Sequence, residues 1–111
     1  MIADSILNGM IDYAKTEESG IVLVNSSGTT VASMSDTTDS VSWDTTTVGK
    51  ITLDADIEYD ITAGDEVAGW RAIDSSTNKI FGEDFASAES YTNDGIFILE
   101  STDTYFTVAE S

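Results

Sequence analysis

The chain has 111 residues, 21 of them Asp or Glu and only 4 Lys or Arg, for a formal charge of −17 at pH 7. Histidine, cysteine and proline are absent, which excludes disulfides, thiolate or imidazole metal sites, a Cys nucleophile, a Ser-His-Asp triad and a histidine pH switch. Nucleic acid is excluded as a partner too, because its binding rests on Lys and Arg neutralising phosphates.

The length fits one domain over residues 1–111, with a helix over 1–18 and a β-sandwich over 20–111. High charge favours disorder and a hydrophobic content of 41% opposes it. The apolar residues decide, because they recur in regular patterns. Repulsion among the carboxylates works against compaction, and salt relieves it as the Debye length shrinks to about 3 Å at 1 M. Abundant Asp, Thr and Ser with scarce Lys fit a protein working in multimolar salt. No stretch reaches the ~18–20 apolar residues of a membrane span. Met1-Ile2-Ala3-Asp4-Ser5 lacks the basic opening of a signal peptide. The expectation is a protein made in the cytoplasm, with no membrane partner.

In chain order, Ala3, Ile6, Leu7, Met10, Ile11 and Ala14 recur at helical spacing and predict one amphipathic helix. Asp4 or Ser5 is its expected N-cap and Gly20 its stop. So short a helix is marginal alone, so its apolar face must dock on this domain or on a partner. After Gly20 the pattern turns to strands: Ile21–Asn25 and Thr29–Met34 as a hairpin around Ser26-Ser27-Gly28, then a loop over Ser35–Ser40. Val41–Trp43, Val48–Leu53, Ile57–Ile61, Val67–Ile73 and Lys79–Phe81 follow. Ile96–Leu99 and Tyr105–Val108 read as a closing hairpin around Ser101-Thr102-Asp103. About eight short strands at this spacing predict a mainly β, jelly-roll-like antiparallel sandwich behind one N-terminal helix.

Asp54, Asp56, Glu58 and Asp60 alternate with Leu53, Ala55, Ile57, Tyr59 and Ile61. On a strand this lines four carboxylates along one face. The plain reading is a solvated acidic face; the sharper one is a Ca²⁺ site, since hard cations take carboxylate oxygens. Same-face neighbours stand about 7 Å apart along a strand, so two of them can share an ion and four cannot. The glycine and distal Glu of an EF-hand are missing, and no cofactor is expected. Paired carboxylates also evoke a glycosidase, but with 21 acids such pairs arise by chance, and no enzyme is expected. Trp43, Trp70, Phe81, Phe85 and Phe97 are core candidates, with a sugar-stacking platform as the alternative. Arg71, the only Arg, either bridges nearby carboxylates or anchors an interface. The helix residues Ile6, Leu7, Met10 and Ile11 are the other interface candidates.

Two segments, Ala3-Asp4-Ser5-Ile6-Leu7-Asn8-Gly9-Met10 and Thr62-Ala63-Gly64-Asp65-Glu66-Val67-Ala68-Gly69-Trp70-Arg71-Ala72-Ile73-Asp74-Ser75-Ser76-Thr77-Asn78, carry a resemblance. With the late turn Asn93-Asp94-Gly95 before Ile96-Phe97-Ile98-Leu99 and Tyr105-Phe106-Thr107-Val108, their order resembles a broad family of small virion proteins of tailed phages and viruses. The resemblance implies a short amphipathic helix ahead of a jelly-roll-like sandwich. It also implies a structural role on the virion surface: capsid decoration (cement) first, with a turret, spike or tail component as alternatives. The implied partners are the major capsid protein, other virion proteins and sister copies in a homo-oligomer. The charge departs from that family and fits a virus of a halophilic host. From another class, the rival is a carbohydrate- or receptor-binding sandwich.

Overall fold

A computed structural model describes residues 3–39 and 41–108. Met1, Ile2, Ser40 and the last three residues, which the predicted helix, loop and sandwich ranges include, lie outside the described residues.

Helix α1 spans Asp4–Glu17. Its N-cap is Ala3, without a side-chain cap, so neither Asp4 nor Ser5 caps it. Asp4 sits in the first turn and Lys15 in the last, each complementing the helix dipole. The helix ends at Glu18, whose backbone turns extended, rather than at Gly20. Gly20 instead opens strand β1, where a side chain would overlap the Met34 carbonyl of the neighbouring strand.

The strands are β1 (Gly20–Val24), β2 (Thr30–Ser35), β3 (Trp43–Asp44), β4 (Lys50–Leu53), β5 (Ile57–Ile61), β6 (Glu66–Ile73), β7 (Lys79–Ser90), β8 (Gly95–Leu99) and β9 (Tyr105–Thr107). They form three antiparallel sheets in the orders β2-β1-β6-β7, β3-β4-β9 and β5-β8. The molecule is therefore mainly β with one helix, as the alternation predicts.

Two expectations need correction. The segments 96–99 and 105–108 do not pair with each other: β8 pairs with β5 and β9 with β4. A short 3₁₀ turn over Ser101–Asp103 separates them, with Ser101 N–H donating to Asp56 Oδ1 at 2.8 Å. The chain there changes sheets instead of doubling back. The segment after Phe81 also continues as strand for nine more residues. Its Gly, Ala, Ser, Glu and Asp have weak strand propensity, and pairing with β6 imposes the strand. Four residues, Phe85 to Ala88, bulge out between the Gly69↔Asp84 and Val67↔Glu89 pairs.

The four-stranded sheet packs its inner face on the two smaller sheets. Trp70 of β6 and Phe81 of β7 meet Trp43 of β3, with ring centroids 5.4 to 6.3 Å apart, and Phe81 stacks on Phe106 of β9 at 5.1 Å. Ile21, Leu23, Ile51, Leu53, Ile61, Val67, Ala72 and Leu99 fill the space around them. Tyr59 of β5 is buried and donates its hydroxyl to the Ile21 carbonyl at 3.2 Å, tying the third sheet to the first. Burial of these side chains is the main stabilising term.

Candidate functional site

Helix α1 carries two apolar stripes rather than one. Ile11 and Ala14 are buried against the sandwich and Leu7 is half-buried beside Gly49. Asn8 Oδ1 accepts the Gly49 N–H at 3.2 Å, fixing the helix beside β4. Ile6, Met10 and Tyr13 follow the same i, i+4, i+7 spacing one step round and remain 57%, 50% and 68% exposed. Of the four predicted helix interface residues, Ile11 and Leu7 thus belong to the domain's own packing, and Ile6 and Met10 face outward. Tyr13 was missed, and its place three residues after Met10 was the available signal.

The four acidic candidates do not form one ladder. β5 starts only at Ile57, so Asp54 and Asp56 lie in the turn that carries the chain from one sheet to another. Asp56 is engaged with the Ser101 N–H, and Asp54 accepts from Ser42 Oγ at 3.4 Å. Glu58 and Asp60 do share the outer face of β5, directly across from Ile98 and Ile96. All four carboxylates are exposed. Among the described residues no three His, Cys, Asp or Glu side chains converge closely enough to hold a metal ion.

Arg71 points away from Trp70, as alternation requires, onto the outer face of the four-stranded sheet. Its Nη1 donates to the Trp70 and Glu83 carbonyls at 2.9 and 3.2 Å, and its Nη2 pairs with Asp84. Arg71 thus meets one carboxylate and two backbone carbonyls rather than several carboxylates. It also borders a trough of about 510 Å³ on that outer face, floored by Val22, Val24 and Ile73. The hairpin tips at Gly28 and Thr77 reach the trough from its two ends. Each tip is held by its own Asx turn: Asn25 Oδ1 accepts from Ser27 and Thr29 N–H, and Asp74 Oδ1 from Ser76 and Asn78 N–H, at 2.9 to 3.0 Å. Glu66 accepts from both the N–H and the hydroxyl of Ser26, which anchors the first tip and holds that carboxyl below its ordinary range. Lys79 stands on the trough wall, so it gathers two of the chain's four cations.

No family model, no curated protein and no solved structure matches the chain. The geometry therefore carries the functional argument alone.

The large aromatics settle into the interior. Trp43 and Trp70 are only 7% and 1% exposed, and Phe81 is buried between them. Phe85 and Phe97 stack on each other at 5.7 Å, half-buried, at the bulged end of β7. Among the described residues the well-exposed aromatic rings are Tyr13 and Tyr105, and Tyr105 lies under the Lys50 ammonium, 4.3 Å from the ring centre.

Sequence reasoning also missed a polar cluster at the end of α1. Glu18 is 6% exposed and buried beside Asp36 of the β2–β3 loop and the indole of Trp43. Burial foremost, and then Asp36, push the Glu18 carboxyl up to about 8 from 4.5. Glu18 lies in the polar run Thr16-Glu17-Glu18-Ser19. Only its position four after Ala14 on the docking stripe marked it as inward-facing.

Proposed function

We propose that this chain is a non-enzymatic structural protein of a virus particle, a jelly-roll-type decoration protein on the shell of a tailed virus from a salt-rich habitat, with α1 as its shell-docking element. The observation that carries this reading is the stripe Ile6, Met10 and Tyr13. It is a row of three large apolar side chains left in solvent along one helix of a strongly acidic molecule, whereas the other large exposed apolar residues, Val48, Ile96, Ile98 and Tyr105, lie on the strands and loops.

The occupant assigned to that stripe is a subunit of the major capsid protein. Copies gather in closed symmetry on the shell. The mechanism is mechanical. The helix buries its outer stripe across a junction of shell subunits, and the sandwich ties those subunits together against the pressure of the packaged genome. The acidic coat keeps the particle surface hydrated in brine and, with four Lys or Arg in all, offers nucleic acid few cationic contacts.

A sugar- or receptor-binding sandwich needs aromatic rings presented side by side on one face. Trp43 and Trp70 are interior instead, and the outer trough is floored by Val22, Val24 and Ile73 without a ring. That contrast favours the scaffold.

The test is the stoichiometry of this chain against the major capsid protein in gradient-purified particles, by quantitative mass spectrometry. A copy number that scales with the capsid subunits is expected. A handful of copies, in multiples of three, five or six, moves the protein to a tail or portal-proximal part. Absence from particles overturns the virion reading.

A further inference from the structure

Three elements converge where α1 ends. The Glu18 N–H closes the last helical turn on the Ala14 carbonyl at 3.0 Å. The Ser19 N–H donates to the Ile73 carbonyl of β6 at 2.8 Å, and the Asp36 N–H donates to the Ser19 carbonyl at 2.9 Å. These backbone bonds hold the end of α1 against β6 and the β2–β3 loop, with the Glu18 side chain, 6% exposed, beside Asp36. Both Glu18 oxygens, Asp36 Oδ1 and Trp43 Nε1 are buried and lack a partner at hydrogen-bond geometry.

The chemistry of the pair explains the deficit. Two ionised carboxylates offer each other acceptors only. One proton makes Glu18 a donor toward Asp36 and leaves its other oxygen free to accept the Trp43 indole N–H. We propose that Glu18 and Asp36 hold one proton between them in the folded protein, and that this proton latches the end of α1 to the sandwich.

The surroundings favour the neutral acid. Glu18 lies at the negative end of the helix dipole. From the β2–β3 loop, Asp36 faces it. Burial foremost, and then Asp39 of that loop and Glu18, raise the phenol of Tyr59 on β5, so these groups share one neighbourhood. From β3, the Trp43 indole is the one contact that favours the anion. Lys15, on the preceding turn of α1, acts on Asp44 of β3 instead. The latch does not depend on what α1 docks against, and it stands whether or not the virion reading does.

The sign follows from linkage. The folded-state value of Glu18, about 8, lies above its ordinary 4.5. Between those values the native state binds more protons than the unfolded state, so stability falls as pH rises. The contribution is complete below about 4.5 and lost as pH passes about 8. At a full one-proton difference the folding equilibrium constant drops about tenfold per pH unit.

The experiment uses the full chain in concentrated KCl, unfolded by denaturant from mildly acidic to mildly alkaline pH, alongside Glu18→Gln. The amide donates to Asp36 without titrating. The expected result is a wild-type stability that falls steeply on the alkaline side and a Glu18→Gln profile that is flatter and higher there. In parallel, infrared difference spectra of the wild type at neutral pH are expected to show a protonated-carboxyl stretch that disappears on alkalinisation. Should Glu18→Gln fail to fold, Asp36→Asn replaces it and is expected to move that disappearance to lower pH. Parallel pH profiles for wild type and variant overturn the proposal, as does absence of the infrared band. So does stabilisation of the wild type by added Ca²⁺ or K⁺ that Glu18→Gln abolishes, which would make the pair a cation site.

Discussion

The aromatic centre and the Glu18 corner share one residue, Trp43, and they hold the molecule together in opposite ways. In the centre, Trp43, Trp70, Phe81 and Phe106 meet through ring faces and edges, and no group there titrates. In the corner, the same indole turns its N–H toward the buried Glu18 carboxyl, which lies beside Asp36. Apolar burial tolerates imperfect fit and is indifferent to pH. A buried polar pair is stabilising only when every donor and acceptor is satisfied, and it becomes a liability when one proton is missing. The centre therefore sets how stable the fold is, and the corner sets under which conditions.

The largest expected effect lies in the centre. Trp70→Ala removes the largest fully buried side chain of the sandwich and is expected to cost about 3–5 kcal/mol. Against a total of roughly 5–15 kcal/mol for a domain, the variant sits near the edge of folding. Denaturant titration in high salt at two pH values measures it. The loss is expected to be the same at both, because the Trp70 ring packs against the rings of Trp43 and Phe81. A loss that changes with pH would break the division between centre and corner.

Trp43→Phe sharpens the boundary from the other side. It keeps a ring against Trp70 and Phe81 and deletes the N–H that faces Glu18. The expected cost is about 1–2 kcal/mol, from lost ring area and from a Glu18 oxygen left without the indole donor. Its signature is in titration: the indole is the one contact favouring ionised Glu18, so its removal is expected to shift the Glu18 transition to higher pH. The infrared band of the protonated carboxyl, followed through an alkaline titration, reads that shift. A shift to lower pH would mean that the indole stabilises the protonated acid.

Much of this architecture is legible in the sequence, and what escapes has physical causes. Apolar runs, alternation and turn residues place β1, β2, β5 and β6 within a residue or so, because each is flanked by Gly, Asn, Asp or Ser turns. Pairing is not local information. The segments 96–99 and 105–108 look like partners only because they are neighbours in the chain, yet each completes a sheet begun some 40 residues or more earlier. β7 beyond Phe81 carries no hydrophobic alternation, since it is an edge held by backbone bonds to β6. Gly82 belongs to that pairing: a side chain there would overlap the Trp70 carbonyl on the adjacent strand. The helix stripe was readable, but its division into a docked and a free row depends on where the sandwich lies. Glu18 was least legible of all. A glutamate in a polar run is ordinarily solvated, and only the fold of the β2–β3 loop over it makes it otherwise.

The smallest effect tests the remaining contrast, between a paired carboxylate in solvent and the carboxyl pair in the interior. Asp84 meets Arg71 in an ion pair whose acidic side is 77% exposed while the Arg71 side chain is 17% exposed. Asp84→Asn removes the charge and keeps the shape. Arg71 retains its bonds to the Trp70 and Glu83 carbonyls, so it is not left without acceptors. Exposed pairs are worth about 0–1 kcal/mol, and on a surface of −17 the loss of one negative charge returns part of that by relieving repulsion. The expected change is below about 1 kcal/mol at low salt and smaller in concentrated salt, where screening shortens the reach of both terms. Thermal melts at two ionic strengths measure it. A loss of several kcal/mol that persists in high salt would show that Arg71, the one guanidinium on the molecule, organises the outer face of the four-stranded sheet far more strongly than an exposed partner allows.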